Sequence, residues 1–271
     1  MKLAIGTWKE TFKILTANPA IFLPFFIVGL VDAGLLTLIF LAPQFPFSLL
    51  LAPPIRAFWG EAFLHYPQNF LLIPRLFSLA HIASGAIIGL LMTGLAIGML
   101  NEAKQGKKPQ ILLNLVSSLK RYFILFGIWL ILFILSGLVY RIPNLFLSPT
   151  NRIAFQAAIY LSFLFVILIE VFFIYAFPAA IVEKKGLIKA LKSGFILSRS
   201  NFLATLILLL IPSLLYFPIM ALKGNQSALM NRFFPEIVLI VLGLGIVVTV
   251  LVDYLVTSSI TILFLNKRQA P

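Results

Sequence analysis

The sequence predicts an all-α fold, a polytopic membrane bundle of six transmembrane helices with both termini cytoplasmic, and three observations predict it. Of 271 residues, 61% are hydrophobic and 11% charged, against about 45–50% and about 25% in soluble domains. Six stretches free of Lys and Arg are each long enough for a hydrocarbon core about 30 Å thick, which takes around 20 residues of helix. The cations between those stretches fall mostly on one side. With no Cys, two His and eight carboxylates, disulfides and thiolate metal sites are excluded, and few catalytic constellations can be assembled.

In chain order, Trp8, Phe12 and Leu15 recur at helical spacing while Lys9, Glu10 and Lys13 face elsewhere, the pattern of an amphipathic helix lying in the membrane interface. Lys9, Glu10 and Lys13 also interrupt any signal-peptide core, so this segment reads as retained. Asn18-Pro19 marks the bend into the first span. The spans run over 21–41, 76–100, 122–140, 153–182, 202–222 and 237–265. Between the first two lies an outer segment, 42–75, with six prolines and many aromatics; Pro53-Pro54, Arg56 and Glu61 argue against a span there, and one or two short interfacial helices are expected. Pro24, Pro178, Pro212 and Pro218 fall within spans, where they kink a helix or end a regular turn. Gly85/Gly89 and Gly94/Gly98 form two small-xxx-small pairs that allow close helix approach.

An even span count puts both termini on one side, which carries fifteen Lys and Arg against six on the other. The positive-inside rule makes that side cytoplasmic. The net charge of +13 is then a topology signal, and nucleic acid is not expected as a partner.

One arrangement recurs three times. Thr11-Phe12-Lys13, Ser118-Leu119-Lys120 and Ala190-Leu191-Lys192 precede the odd spans within short basic amphipathic stretches. Asn101-Glu102-Ala103-Lys104, Glu183-Lys184-Lys185 and Asn266-Lys267-Arg268 end the even ones. The chain therefore reads as a single membrane domain, 1–271, of three units, roughly 1–105, 106–186 and 187–271, each an elbow helix followed by a hairpin. The Trp-Lys elbow with Asn18-Pro19, together with Gly186, Ala190-Leu191-Lys192-Ser193, Leu197 and Asn201, resembles a family of six-span bacterial and archaeal membrane proteins related to the membrane domain of some glycerophosphodiester phosphodiesterases. The resemblance implies the fold and a location in a prokaryotic plasma membrane. It brings no catalytic activity, because the soluble phosphodiesterase barrel has no counterpart in the chain.

Asp32, Glu170 and Asp253 lie inside spans, eleven or twelve residues from the cytoplasmic ends, roughly 17 Å deep and near the midplane. No Lys or Arg shares that depth by this count. Intramembrane acids are costly and rare. Thr249, Asp253, Thr257 and Thr261 follow at four-residue spacing, a polar stripe on the sixth span. The two readings are a site that handles protons or cations and a set of packing hydrogen bonds. His65 and His81 read as polar interfacial residues, with no further ligand at metal spacing. Lys9, Lys13, Lys120, Arg121, Lys184, Lys185, Lys189 and Lys192 are the candidate contacts to anionic lipid.

The chain lacks phosphate-binding Gly-rich loops, His-Glu-x-x-His and Gly-x-Ser-x-Gly. No enzyme activity, cofactor or metal is expected. The function expected is that of a noncatalytic membrane protein interacting with lipids, anionic on the cytoplasmic side, or with a membrane-protein partner. The alternative is a proton- or cation-coupled transporter or channel using Asp32, Glu170 and Asp253.

Overall fold

The computed structural model describes residues 2–146 and 152–269. Among them every regular element is helical, and five helices are long and apolar enough to cross a membrane, or six if one bent pair counts as a span. In chain order the α-helices are α1 (Lys2–Ala17), α2 (Leu23–Phe40), α3 (Ser48–Trp59), α4 (Asn69–Ser84), α5 (Leu90–Lys104), α6 (Ile111–Lys120), α7 (Tyr122–Phe146), α8 (Arg152–Phe173), α9 (Ala176–Val182), α10 (Leu187–Ser200), α11 (Phe202–Ser213), α12 (Tyr216–Gly224), α13 (Gln226–Arg232) and α14 (Ile237–Gln269). The chain divides into two compact units. One comprises Met1–Pro24, Leu90–Pro212 and Leu255–Pro271; the other comprises Phe25–Gly89 and Ser213–Tyr254. The middle of the three expected repeats lies whole in the first unit, and the outer two are each divided.

In the first unit the amphipathic helices turn small residues inward. Ala4, Thr7, Thr11 and Leu15 are the buried positions of α1, whereas Phe12, which the spacing pattern had assigned to the apolar face beside Trp8, is 50% exposed and stacks on Trp8. On α6 only Ser118 is buried, and on α10 Ala190, Gly194 and Ser198. The large apolar residues of α6, Leu112, Leu113 and Leu119, point outward. In lipid this is the economical arrangement, because acyl chains solvate Leu as well as protein does and small residues let backbones approach. Ser118 Oγ donates to the Leu91 carbonyl at 2.9 Å, and Ser198 Oγ donates to the Val171 carbonyl, in each case 27 residues back along the chain. A Cβ on Gly94 or Gly98 would collide with Ser118 Oγ or Asn114 Oδ1, so the second small-residue pair seats α6 against α5. The first pair does not behave so. Gly85 has no neighbour within 4 Å of a built Cβ, Gly89 meets only the Ser84 carbonyl, and Gly85–Gly89 is instead a turn of π-helix between α4 and α5.

The ends of the even spans are tied by carboxylates. Glu102 Oε2 accepts from the Gln110 amide at 2.7 Å and from Asn114 Nδ2 at 2.8 Å. Glu10 of α1 accepts from Lys104 Nζ and, at 2.6 Å, from Asn266 Nδ2. Burial raises the Glu10 carboxyl, but the Lys104 and Asn266 hydrogen bonds and the charges of Lys104 and Lys13 outweigh it and hold the group below its ordinary value of 4.5. A depressed carboxylate contributes stability above the unfolded-chain value, and that contribution disappears as pH falls through the lower folded value. Thermal unfolding of the solubilised protein is expected to lose stability on acidification below about pH 4.5, and Glu10→Gln is expected to shrink that loss. An acid limb of equal size in both proteins would show that Glu10 is not the titrating tie.

Proline interrupts the helix in the fourth and fifth spans by the same device, although Ala157–Val182 still qualifies as one span. Pro178 and Pro218 have no N–H for the carbonyls four residues back, Ile174 and Leu214, and the preceding Phe amide takes each carbonyl instead: Phe177 N at 3.4 Å and Phe217 N at 3.1 Å. Turns at 174–175 and 214–215 result. The expected span 202–222 is therefore two helices. The first, α11, has 12 residues, about 18 Å of rise, less than a hydrocarbon core. It meets α10 at 96°.

In the second unit α2, α4 and α14 share a core of Leu36, Phe70, Ile73, Phe77, Val238, Leu242 and Ile246. Gly29 lets α14 close in, since its Cβ would stand 2.6 Å from Val250 Cγ2. The outer segment forms α3 and a 3₁₀ turn, Glu61–Leu64, packed through Ala42, Ile55 and Leu72. Here α4 begins at Asn69 and runs through Pro74 and Arg75, so the second span starts earlier than its charge-free core suggests.

Candidate functional site

Two clusters of polar side chains stand out, one in each unit. The first lies in the second unit, in helices that qualify as membrane spans. Asp32 on α2 is 1% exposed. Its Oδ2 lies 2.9 Å from His81 Nδ1 of α4, and its Oδ1 accepts from Ser84 Oγ at 2.9 Å. His81 and Ser84 are three residues apart and so lie on one face of the helix, which is what allows a single carboxylate to engage both. Ser84 Oγ is also 3.0 Å from the His81 carbonyl oxygen, so its one proton serves one acceptor at a time. Phe77, one turn back, stacks on the imidazole with ring centroids 6.0 Å apart. The His81 side chain remains 39% accessible. Asp253 of α14 lies within electrostatic range of Asp32 and His81, and Lys223 of α12 within range of His81.

Of the three intramembrane acids, Asp32 and Asp253 thus belong to one unit. Glu170 belongs to the other, half-buried on α8 and within electrostatic range of Tyr140 on α7. The polar stripe of α14 does not keep to one face. Asp253 is exposed, Thr249 and Thr257 are half-buried, and Thr261 is fully buried with an unpartnered hydroxyl. Four-residue steps drift about 40° each in a helix of 3.6 residues per turn, about 120° over the stripe. The residues that sequence reasoning missed are His81, read as interfacial, and Ser84. Their only signal was polar side chains at i and i+3 in an otherwise apolar span. Lys223, counted as lying beyond a span end, also bears on the site.

The second cluster is a cleft of about 500 Å³ in the first unit, lined by α10, the turn before it and the end of α14. Lys185, Lys189, Lys192, Lys267 and Arg268 line it together with one carboxylate, Glu183. Ser193 and Ser200 add hydroxyls, and Ile196, Leu197 and Phe264 form an apolar wall. Glu183 Oε2 is 2.7 Å from Lys185 Nζ, and its Oε1 is 3.9 Å from Arg268 Nε; Lys185 also donates to Ser193 Oγ at 2.9 Å. Lys184 is exposed outside the cleft and takes a left-handed backbone, φ 53, where Gly106 takes φ 74 after α5. Of the remaining cations expected to meet lipid, Lys9, Lys13 and Lys120 are exposed and Arg121 is half-buried. Lys267 and Arg268 join the cleft from a segment remote in sequence. Among the described residues no group of three or more His, Cys, Asp or Glu is placed to hold a metal ion. Comparison with protein-family models, with curated proteins and with solved structures finds no match for the chain.

Proposed function

We propose that the chain is a noncatalytic, multi-pass protein of a prokaryotic plasma membrane, with both termini cytoplasmic, that binds the head groups of anionic phospholipids in the cleft beside α10. The observation that carries this reading is the composition of that cleft: five cations against one carboxylate, next to an apolar wall. A phosphodiester with attached acyl chains asks for that pairing of surfaces. A soluble anion needs no wall of Ile196, Leu197 and Phe264. Glu183 fixes the position of Lys185 and lies near Arg268, so part of the ordering cost is met before lipid arrives. The 96° turn between α10 and α11 supports an α10 lying along the interface while α11 enters the bilayer. The outward Leu-rich face of α6 supports the same reading for that helix, and Lys9, Lys13 and Lys120 are exposed on their own helices. The matched Ser118 and Ser198 bonds, each 27 residues long, support descent of the second and third units from one ancestor, in a register that pairs Ser118 with Ser198 rather than with Ala190.

The test is lipid retention by purified full-length protein, measured by mass spectrometry after exchange against equal parts of phosphatidylglycerol and phosphatidylcholine. Each cation near an anionic surface is worth about 1 kcal/mol, and about 1.4 kcal/mol is tenfold. Lys185→Gln, Lys189→Gln and Lys192→Gln together are expected to cut the preference for the anionic lipid by about tenfold or more. Lys184→Gln, outside the cleft, is expected to change it little. Equal retention of both lipids by the unaltered protein, or an undiminished preference in the triple variant, would defeat the reading.

A further inference from the structure

The cluster around Asp32 lies in the unit that does not hold the cleft, and it has a geometry of its own. A carboxylate in the span needs a reason to be there, and packing alone would be served by Ser84 or a Thr. Here the buried carboxylate is joined to a group that is not buried. Asp32 is 1% exposed, while the His81 side chain keeps 39% of its surface. The imidazole is therefore the accessible end of a two-member chain, and the carboxylate is the enclosed end.

We propose that Asp32, His81 and Ser84 form a proton-binding relay within the membrane-embedded helices, loaded at His81 and stored at Asp32. With Nδ1 as donor toward Asp32 Oδ2, Nε2 is the His81 ring nitrogen left to take up a proton. A proton that adds to Nε2 makes the imidazolium. The Nδ1 proton then passes 2.9 Å to Oδ2, leaving a neutral imidazole protonated at Nε2 and a neutral carboxylic acid. One proton has been bound and every charge is accounted for. Ser84 Oγ, donating to Oδ1, stabilises the carboxylate before transfer; afterwards the weaker acceptor competes less well with the His81 carbonyl, 3.0 Å from the same hydroxyl. Among the described residues, the charged groups acting on the imidazole from neighbouring helices are Asp253 of α14 and Lys223 of α12. The imidazole thus feels one further acid and one further cation. The relay adjoins the π-helical turn Gly85–Gly89, whose glycines leave open space at Gly85. Wide turns of this kind recur at functional sites in helices.

The presence of only two histidines makes the test clean. Infrared difference spectra of the full-length protein in lipid nanodiscs are recorded between about pH 8 and pH 5, the interval in which imidazole changes charge. The expected result is a set of imidazole bands that survives His65→Gln and vanishes in His81→Gln, accompanied by a carboxyl band that Asp32→Asn removes. Asp32→Asn, isosteric, is also expected to move the midpoint of the His81 bands by at least tenfold in proton concentration, and Ser84→Ala to shift the carboxyl band without removing it. Asp253→Asn keeps both sets of bands. A His81 signal that does not change across the interval, or one unaltered by Asp32→Asn in a protein that elutes and melts as the unaltered one does, overturns the relay and leaves a static packing contact. If Asp32→Asn fails to fold, the Ser84→Ala spectrum decides, because a static contact leaves its carboxyl region flat.

Discussion

Gly194→Ala is expected to destabilise the protein by about 3 kcal/mol, the upper end of the range for overpacking. A Cβ at this position would stand 2.8 Å from the backbone nitrogen of Ala176 and 3.3 Å from its Cα. Backbone cannot rotate aside as a side chain can, so α10 must lift from α9. In lifting it would strain the neighbouring Ser198 bond to the Val171 carbonyl. The measurement is the thermal midpoint of the detergent-solubilised protein, with lipid retention recorded beside it, since α10 carries Lys189 and Lys192. Gly194→Ala melting like the unaltered protein would show that α9 and α10 are not seated as described.

The second large effect is a contrast between two glycine pairs of identical spacing. Gly94→Val with Gly98→Val drives side chains into Ser118 and Asn114, displacing the hydroxyl from the Leu91 carbonyl and the amide from Glu102. Several kcal/mol are at stake, from overpacking together with stranded polar groups, and much of the protein is expected to be lost to aggregation on extraction. Gly85→Ala with Gly89→Ala meets open space at Gly85 and only an ordinary contact with the Ser84 carbonyl, 3.9 Å, at Gly89, and is expected to be neutral within about 1 kcal/mol, because alanine's helical preference offsets any loss of the wide turn. Comparable yields and melting points for the two double variants would remove the distinction.

That contrast shows what the sequence could and could not reveal. The spans were legible because lipid imposes a length and an absence of cations on each one, and both constraints are written in consecutive residues. The break in the fifth span was legible in Pro212 and Pro218, although its place was not: it depends on which carbonyl Pro218 leaves for Phe217. The inward face of α1 was not legible from aromatic spacing, since in a membrane the large apolar residues belong outside and Ala4, Thr7 and Thr11 turn in. Asp32 stood out as an acid in an apolar run. His81 did not, because its partner lies 49 residues away and no local spacing announces it. Half of the basic cleft was visible as the Lys run before the fifth span, while Lys267 and Arg268 reach it only through folding.

The seating of α6 has a mechanical consequence. A helix held by Ser118 on the Leu91 carbonyl, and by Asn114 between Gly98 and Glu102, has no free travel along or across α5. Its outward residues Leu112, Leu113 and Leu119 are therefore a handle on α5: a sideways load applied to them passes to α5 through the Ser118 and Asn114 contacts.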